Sequence, residues 1–122
     1  SVQCNTNKSN GKATINYEMC EYTPEFASVT GCRLVDFDEI DTDYLKCNGY
    51  FYKFPDGATT EEKNKIISKY YNLLIQRGFK YYDTYKGDIF LICPDSKHEI
   101  QIGISSYDGS LAVVIYDKSY LW

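Results

Sequence analysis

Residues 59–78 constrain this chain more than any other stretch. Thr59 followed three residues later by Glu62 forms a capping box, in which each side chain satisfies a free amide at a helix start. Behind it, Ile66, Ile67, Tyr70, Tyr71, Leu73 and Leu74 make a broad apolar stripe at helical spacing, with Lys65, Lys69, Asn72 and Gln76 on the opposite side. Arg77 suits the negative end of the helix dipole, and Gly78 suits the left-handed residue that closes a helix. The spacing predicts a helix over about 60–77. A stripe that broad must be buried against a second layer.

After Gly78 the apolar period changes from 3.6 to 2, and the chain reads as that second layer. Strands are predicted over 79–85, 89–93, 99–104 and 111–116, separated by Lys86-Gly87-Asp88, by the loop opening at Pro94-Asp95-Ser96, and by Asp108-Gly109. Upstream, Asn48-Gly49 signals a turn, and Tyr50–Phe54 reads as a strand stopped by Pro55-Asp56-Gly57. The expected fold class is α+β: one helix packed on a four- or five-stranded antiparallel meander, a β-α-β-β-β core. Residues 13–22 read as a short strand or extended arm, broken by Thr23-Pro24 with a turn at Gly31, and the segment 13–35 adds an N-terminal extended arm or edge strand. Residues 1–12 are polar and read as a flexible tail, leaving 13–122 as a single α+β domain. Asn7-Lys8-Ser9 is a glycosylation triplet of the kind that arises often by chance.

Five cysteines, Cys4, Cys20, Cys32, Cys47 and Cys93, contain no Cys-x-x-Cys pair. The number fits two disulfides and a leftover thiol in an extracytoplasmic protein, or scattered reduced thiols in the cytoplasm. The candidate disulfide cysteines are Cys20, Cys32, Cys47 and Cys93. A Cys20–Cys32 bridge would close a short loop, and Cys47 and Cys93 both lie beside predicted strands and could meet across the sheet. The first residue is Ser1 rather than Met, which fits a processed export product or a chain trimmed of its leader.

The net charge of −4 argues against nonspecific nucleic-acid binding, and no stretch approaches the apolar length of a bilayer span. Residues 36–43 place five carboxylates in eight positions, but the spacing departs from a helix-loop-helix calcium loop: starting at Asp36, the third ligand position falls on Ile40. They read as a solvated acidic loop. The only histidine, His98, lacks the clustered partners of a zinc site, and Cys93 beside it ends a buried-looking strand, where thiols are normally inert. Phosphate-binding glycine loops and nucleophile elbows are absent, so no cofactor, metal or catalytic group is assigned.

What stands out is 13 Tyr against 6 Phe and 1 Trp. A helix covers one face of a sheet and leaves the other open, and Tyr50, Tyr52, Tyr82 and Tyr116 are candidates for an aromatic platform there. The plainer reading is that they are strand formers packed across the sheet.

Thr23-Pro24-Glu25-Phe26-Ala27-Ser28-Val29-Thr30-Gly31, followed by a helix ending in Arg77-Gly78-Phe79, resembles small secreted or envelope-associated domains of Gram-positive bacteria. The resemblance implies export and supplies no activity. The helix on a meander also looks like the cystatin scaffold, without its Gln-x-Val-x-Gly loop. The expectation is an exported non-catalytic domain binding a protein or glycan through a Tyr-lined sheet face. Its alternatives are a small cytoplasmic inhibitor or immunity-type protein docking through 36–43, and a small hydrolase using His98.

Overall fold

The computed structural model describes residues 15–120. The tail read over 1–12, the Asn7-Lys8-Ser9 triplet and Cys4 lie outside the described residues. The elements run α1 (Phe26–Thr30), β1 (Arg33–Asp41), β2 (Lys46–Lys53), α2 (Thr60–Gln76), β3 (Lys80–Tyr85), β4 (Asp88–Ile92), β5 (His98–Ile104) and β6 (Leu111–Asp117), followed by one 3-10 turn at Lys118–Tyr120. The six strands form one sheet in the order β1-β2-β6-β5-β4-β3, antiparallel throughout. The chain is thus a mixed α/β domain with one main helix.

Helix α2 begins and ends where its chemistry dictates. The Glu62 amide donates to Thr59 Oγ1 at 3.1 Å, and the Thr59 amide donates to Glu62 Oε1 at 2.8 Å. At the other end Gly78 takes φ 95°, which a side chain would strain, and the Phe79 amide turns back to the Leu74 carbonyl. The helix buries Tyr70 and Leu74 fully and packs Ile66, Ile67 and Tyr71 at the core margin. Beneath it lie Tyr50 and Tyr52 of β2, Leu111, Val113 and Ile115 of β6, Ile100 and Ile102 of β5, and Leu91 of β4. Their registers, Tyr50↔Val113↔Ile102 and Ile115↔Ile100↔Leu91, place them on one face. Full burial of such side chains stabilises by roughly 1.5–3 kcal/mol each.

Six strands form where four or five were expected. The extra one is β1, which contains most of the stretch read as an acidic loop. Alternating charge does not forbid a strand at a sheet edge, because all nine residues of β1 face water. The arm also differs from expectation. Residues 15–25 make a single bridge, Asn16↔Pro24, rather than a strand, and a short helix, α1, precedes the turn read at Gly31, which takes φ 79° and closes it. Helix α1 forms because the Glu25 carboxylate accepts the amides of Ala27 at 2.8 Å and Ser28 at 2.9 Å.

The arm is fastened by tyrosine. Tyr17 packs against Tyr50 with ring centroids 4.3 Å apart, and Phe26 packs against Tyr52 and Tyr70 at 4.9 Å each. The hydroxyls form a directional chain: the Phe26 amide donates to Tyr17 Oη (3.0 Å), Tyr17 meets Tyr52 Oη (2.7 Å), and Tyr52 donates to the Glu25 carboxylate (2.7 Å). Because a carboxylate only accepts, the Tyr52 proton is committed to Glu25 and Tyr17 must donate to Tyr52. Tyr70 donates separately to the Pro24 carbonyl at 2.6 Å.

Candidate functional site

The four candidate tyrosines divide between the two faces of the sheet. Tyr50 is 9% exposed and Tyr52 wholly buried, both beneath the helix and arm. They cannot share an outer platform with the others. The sequence places them on one side of their strand, and that side is the core side; the hydroxyl chain to Glu25 removes the objection to burying Tyr52, and Asn48 Nδ2 donates to the Tyr50 hydroxyl at 3.4 Å. Tyr82 and Tyr116 lie on the opposite face, with Tyr82 46% exposed and Tyr116 half-buried.

Strand register builds that face in rows. One row runs Ile92↔Glu99↔Tyr116↔Cys47↔Ile40, and the next Phe90↔Gln101↔Val114↔Gly49↔Asp38. A third carries Gly103↔Ala112↔Phe51↔Asp36. A bulge in β3 between Tyr81 and Asp83 leaves Tyr82 beside Phe90, ring centroids 6.2 Å apart. Polar groups are chained across the strands. Tyr116 donates to Gln101 Oε1 at 2.6 Å, and Gln101 Nε2 donates to Asp88 Oδ2 at 2.8 Å. Partial burial, with the Glu99 carboxylate nearby, pushes the Tyr82 pKa up.

Two glycines keep this surface flat. A Cβ on Gly103 would fall on the Asp88 carboxylate, and one on Gly49 would press the Phe51 ring at 3.3 Å. Their absence lets Asp88 and Phe51 lie down across the sheet. Sequence reasoning missed Phe51, Asp88, Phe90, Gln101 and Val114. The signal was present: if Ile100 and Ile102 face the core, then residues 99, 101 and 103 face away, and a glycine inside a strand marks a close approach.

The acidic stretch 36–43 borders the same face. Asp36 and Asp38 register with Phe51 and Gly49, and among the described residues no cation lies within salt-bridge distance of them. The residues after β1 close the hairpin, with Thr42 and Leu45 bonded across it.

The cysteines do not follow either expected pairing. Cys47 is on the open face, beside Tyr116, whereas Cys93 is on the helix face, so the sheet separates them. Cys20 meets Cys93 rather than Cys32: their sulfurs lie 3.1 Å apart, beyond the ~2.05 Å of a disulfide bond. Cys20, Cys32, Cys47 and Cys93 are all buried free thiols. Burial raises the pKa of Cys32 and of Cys47. A hydrogen bond from Cys93 lowers Cys20 to about 6, against the opposing effect of burial, and the same bond raises Cys93.

His98 sits at the rim of this thiol pair. Its Nδ1 lies 2.7 Å from Asp95 Oδ2, while Asp95 Oδ1 accepts the amides of Lys97 and His98 at 2.8 and 3.2 Å. Burial alone would raise the Asp95 carboxyl, but the Lys97 amide and the His98 ring outweigh it and hold the group below its ordinary value. Asp95 thereby organises the β4–β5 turn. Cys20, Cys93 and Asp95 form the one group of possible metal ligands among the described residues. A nucleophile there would be shielded, since both cysteines are only 2% exposed.

No helix among the described residues is long and apolar enough to cross a membrane. No protein-family model matches the chain, and neither a curated protein nor a solved structure matches it.

Proposed function

We propose that the chain is an exported, non-catalytic interaction domain that receives a protein partner on its uncovered sheet face. The observation that carries this reading is the composition of that face. Tyr82, Phe90, Phe51 and Val114 supply apolar contact, the Tyr116–Gln101–Asp88 chain supplies fixed polar groups, and the glycines keep the surface flat. Tyrosine and phenylalanine are favoured at interfaces because they offer large contact area with few rotors. Asp36, Asp38, Asp88 and Glu99 tilt the surface towards acid, which suits a basic partner. The acidic hairpin strand proposed for an inhibitor-type protein thus becomes the margin of the same surface.

Site-specific photo-crosslinking in cells of the source tests this. Probes at positions 82 and 114 should capture a partner that probes at 65 and 72, on the outer face of α2, do not. Tyr82→Ala with Phe90→Ala should abolish capture while leaving the circular dichroism spectrum intact, and Asp36→Asn with Asp38→Asn should slow association in a salt-dependent way. Capture that is equal from both faces, or that survives the aromatic substitutions, refutes the reading. Retention on insoluble cell-wall polysaccharide, lost in the same variants, would transfer the face to a glycan.

A further inference from the structure

We infer that Cys20 and Cys93 are a disulfide-forming pair that locks the N-terminal arm onto the end of β4. They are separated by 73 residues, yet their sulfurs lie 3.1 Å apart. Both are buried in the core cluster, and no other thiol among the described residues is placed beside another. The backbone on both sides is held independently of the sulfurs. The Thr23 amide bonds the Cys20 carbonyl, and Tyr17 amide bonds the Thr23 carbonyl; the Cys93 amide bonds the His98 carbonyl. The facing of the two sulfurs is therefore built by surrounding structure rather than by chance contact of mobile chains.

A metal fits the same group less well. Asp95 already has both oxygens engaged, one by the Lys97 and His98 amides and the other by the His98 ring. Two thiolates on one zinc, each ~2.3 Å from the metal in tetrahedral geometry, would also stand farther apart than these do.

The oxidant is a small-molecule disulfide such as oxidised glutathione, and the reaction is thiol–disulfide exchange. The Cys20 thiolate attacks one glutathione sulfur, the glutathione S–S bond breaks, and one glutathione thiolate leaves. The Cys93 thiolate then attacks the Cys20 sulfur of this mixed disulfide, the Cys20–Cys93 bond forms, and the second glutathione leaves. The two protein thiol protons end on the two glutathiones, so two protein thiols are oxidised as one disulfide is reduced. Either thiol can open the sequence, because the hydrogen bond that lowers Cys20 exists only once the arm has docked. Because both sulfurs are shielded in the fold, exchange takes place before the arm docks.

The test is to refold the full chain in a glutathione redox buffer and in reductant, alkylate the free thiols, and map the peptides without reduction. The expected product is two hydrogens lighter than the reduced chain, with residues 13–33 joined to 87–97 after tryptic cleavage. Cleavage after Glu21 and Glu25 must then leave the crosslink on Cys20 and an alkylated Cys32. Reduction should lower the melting midpoint by on the order of 15 °C. Cys20→Ser with Cys93→Ser should melt with the reduced chain and ignore reductant, and the peptide map of the unsubstituted chain decides the matter even if that variant fails to fold. A Cys20–Cys32 crosslink, five alkylatable thiols after oxidation, or unshifted mass with co-purifying zinc would each overturn the inference. None of these outcomes depends on what the open face binds.

Discussion

Alkaline pH should unfold this domain cooperatively, because Tyr17, Tyr52 and Tyr70 cannot ionise where they sit. They are 4%, 0% and 0% exposed, and each hydroxyl donates a hydrogen bond that ionisation would destroy. Burial is the largest cause raising all three pKa values; the Tyr52 phenol adds to it for Tyr17, and the Glu25 carboxylate adds for each. The folded-state pKa of each group is therefore above its unfolded value of about 10. The sign follows directly: the contribution to stability is intact below about pH 10, where both states are protonated. It is lost as pH rises above 10, because the unfolded chain releases protons that the folded chain retains. Each group costs about 1.4 kcal/mol per pH unit in that range, so three cost about 4 kcal/mol on reaching pH 11. That is a large share of the roughly 5–15 kcal/mol that holds a domain together. Urea titrations at a series of pH values from 9 to 11.5, followed by circular dichroism, measure the slope of stability against pH. A slope of at least three protons is expected, because burial also raises the Cys32 and Cys47 thiols, and it falls by one in Tyr70→Phe. A slope below one proton, or one unchanged by Tyr70→Phe, would refute the reasoning.

The hydroxyl chain itself can be cut. Tyr52→Phe removes the link between Tyr17 and Glu25, leaves the buried Tyr17 hydroxyl without its acceptor, and should cost about 1–3 kcal/mol in urea midpoint. A loss within ~0.5 kcal/mol would show that the chain is spectator to stability. On the other face, Gly103→Ala should displace the Asp88 carboxylate and break its bond to Gln101, costing about 1–3 kcal/mol. Adding Asp88→Ala should recover much of the overpacking loss, and simple additivity of the two substitutions would contradict the proposed overlap.

What was legible in the sequence is what local chemistry decides. The capping box, the helical stripe and Gly78 place α2 within a residue of where it lies. The alternation of Ile100 and Ile102 identifies the core face of β5, and turns at Lys86-Gly87 and Asp108-Gly109 separate strands, whereas Asn48-Gly49 lies inside β2 rather than in a turn. What failed depended on neighbours. Charge concealed β1, because an edge strand with both faces wet need not alternate apolar and polar residues. Phenols need partners, which argues for placing Tyr50 and Tyr52 outside; the Tyr52 hydroxyl finds residues 17 and 25 and the Tyr50 ring packs on Tyr17, all brought in by an arm with no periodic signal. The Cys20–Cys93 meeting is of the same kind, and no spacing rule announces it.

Sheet width accounts for both edges and for the open face together. Six strands at about 4.8 Å span roughly 24 Å between outer axes, whereas a helix with its side chains is about 10–12 Å across. One helix therefore shelters two or three strands. Tyr17 and Phe26 extend the cover over β2, and nothing described extends it to β1 or β3, in which every residue is exposed. Uncovered edges invite pairing with other chains unless charge discourages it. Asp36, Asp38, Glu39 and Asp41 supply that charge on β1, and Lys80 and Asp83 on β3. The same geometry that makes the acidic strand a protected edge also sets its carboxylates beside Phe51, where an incoming basic chain would meet charge and aromatic surface at once.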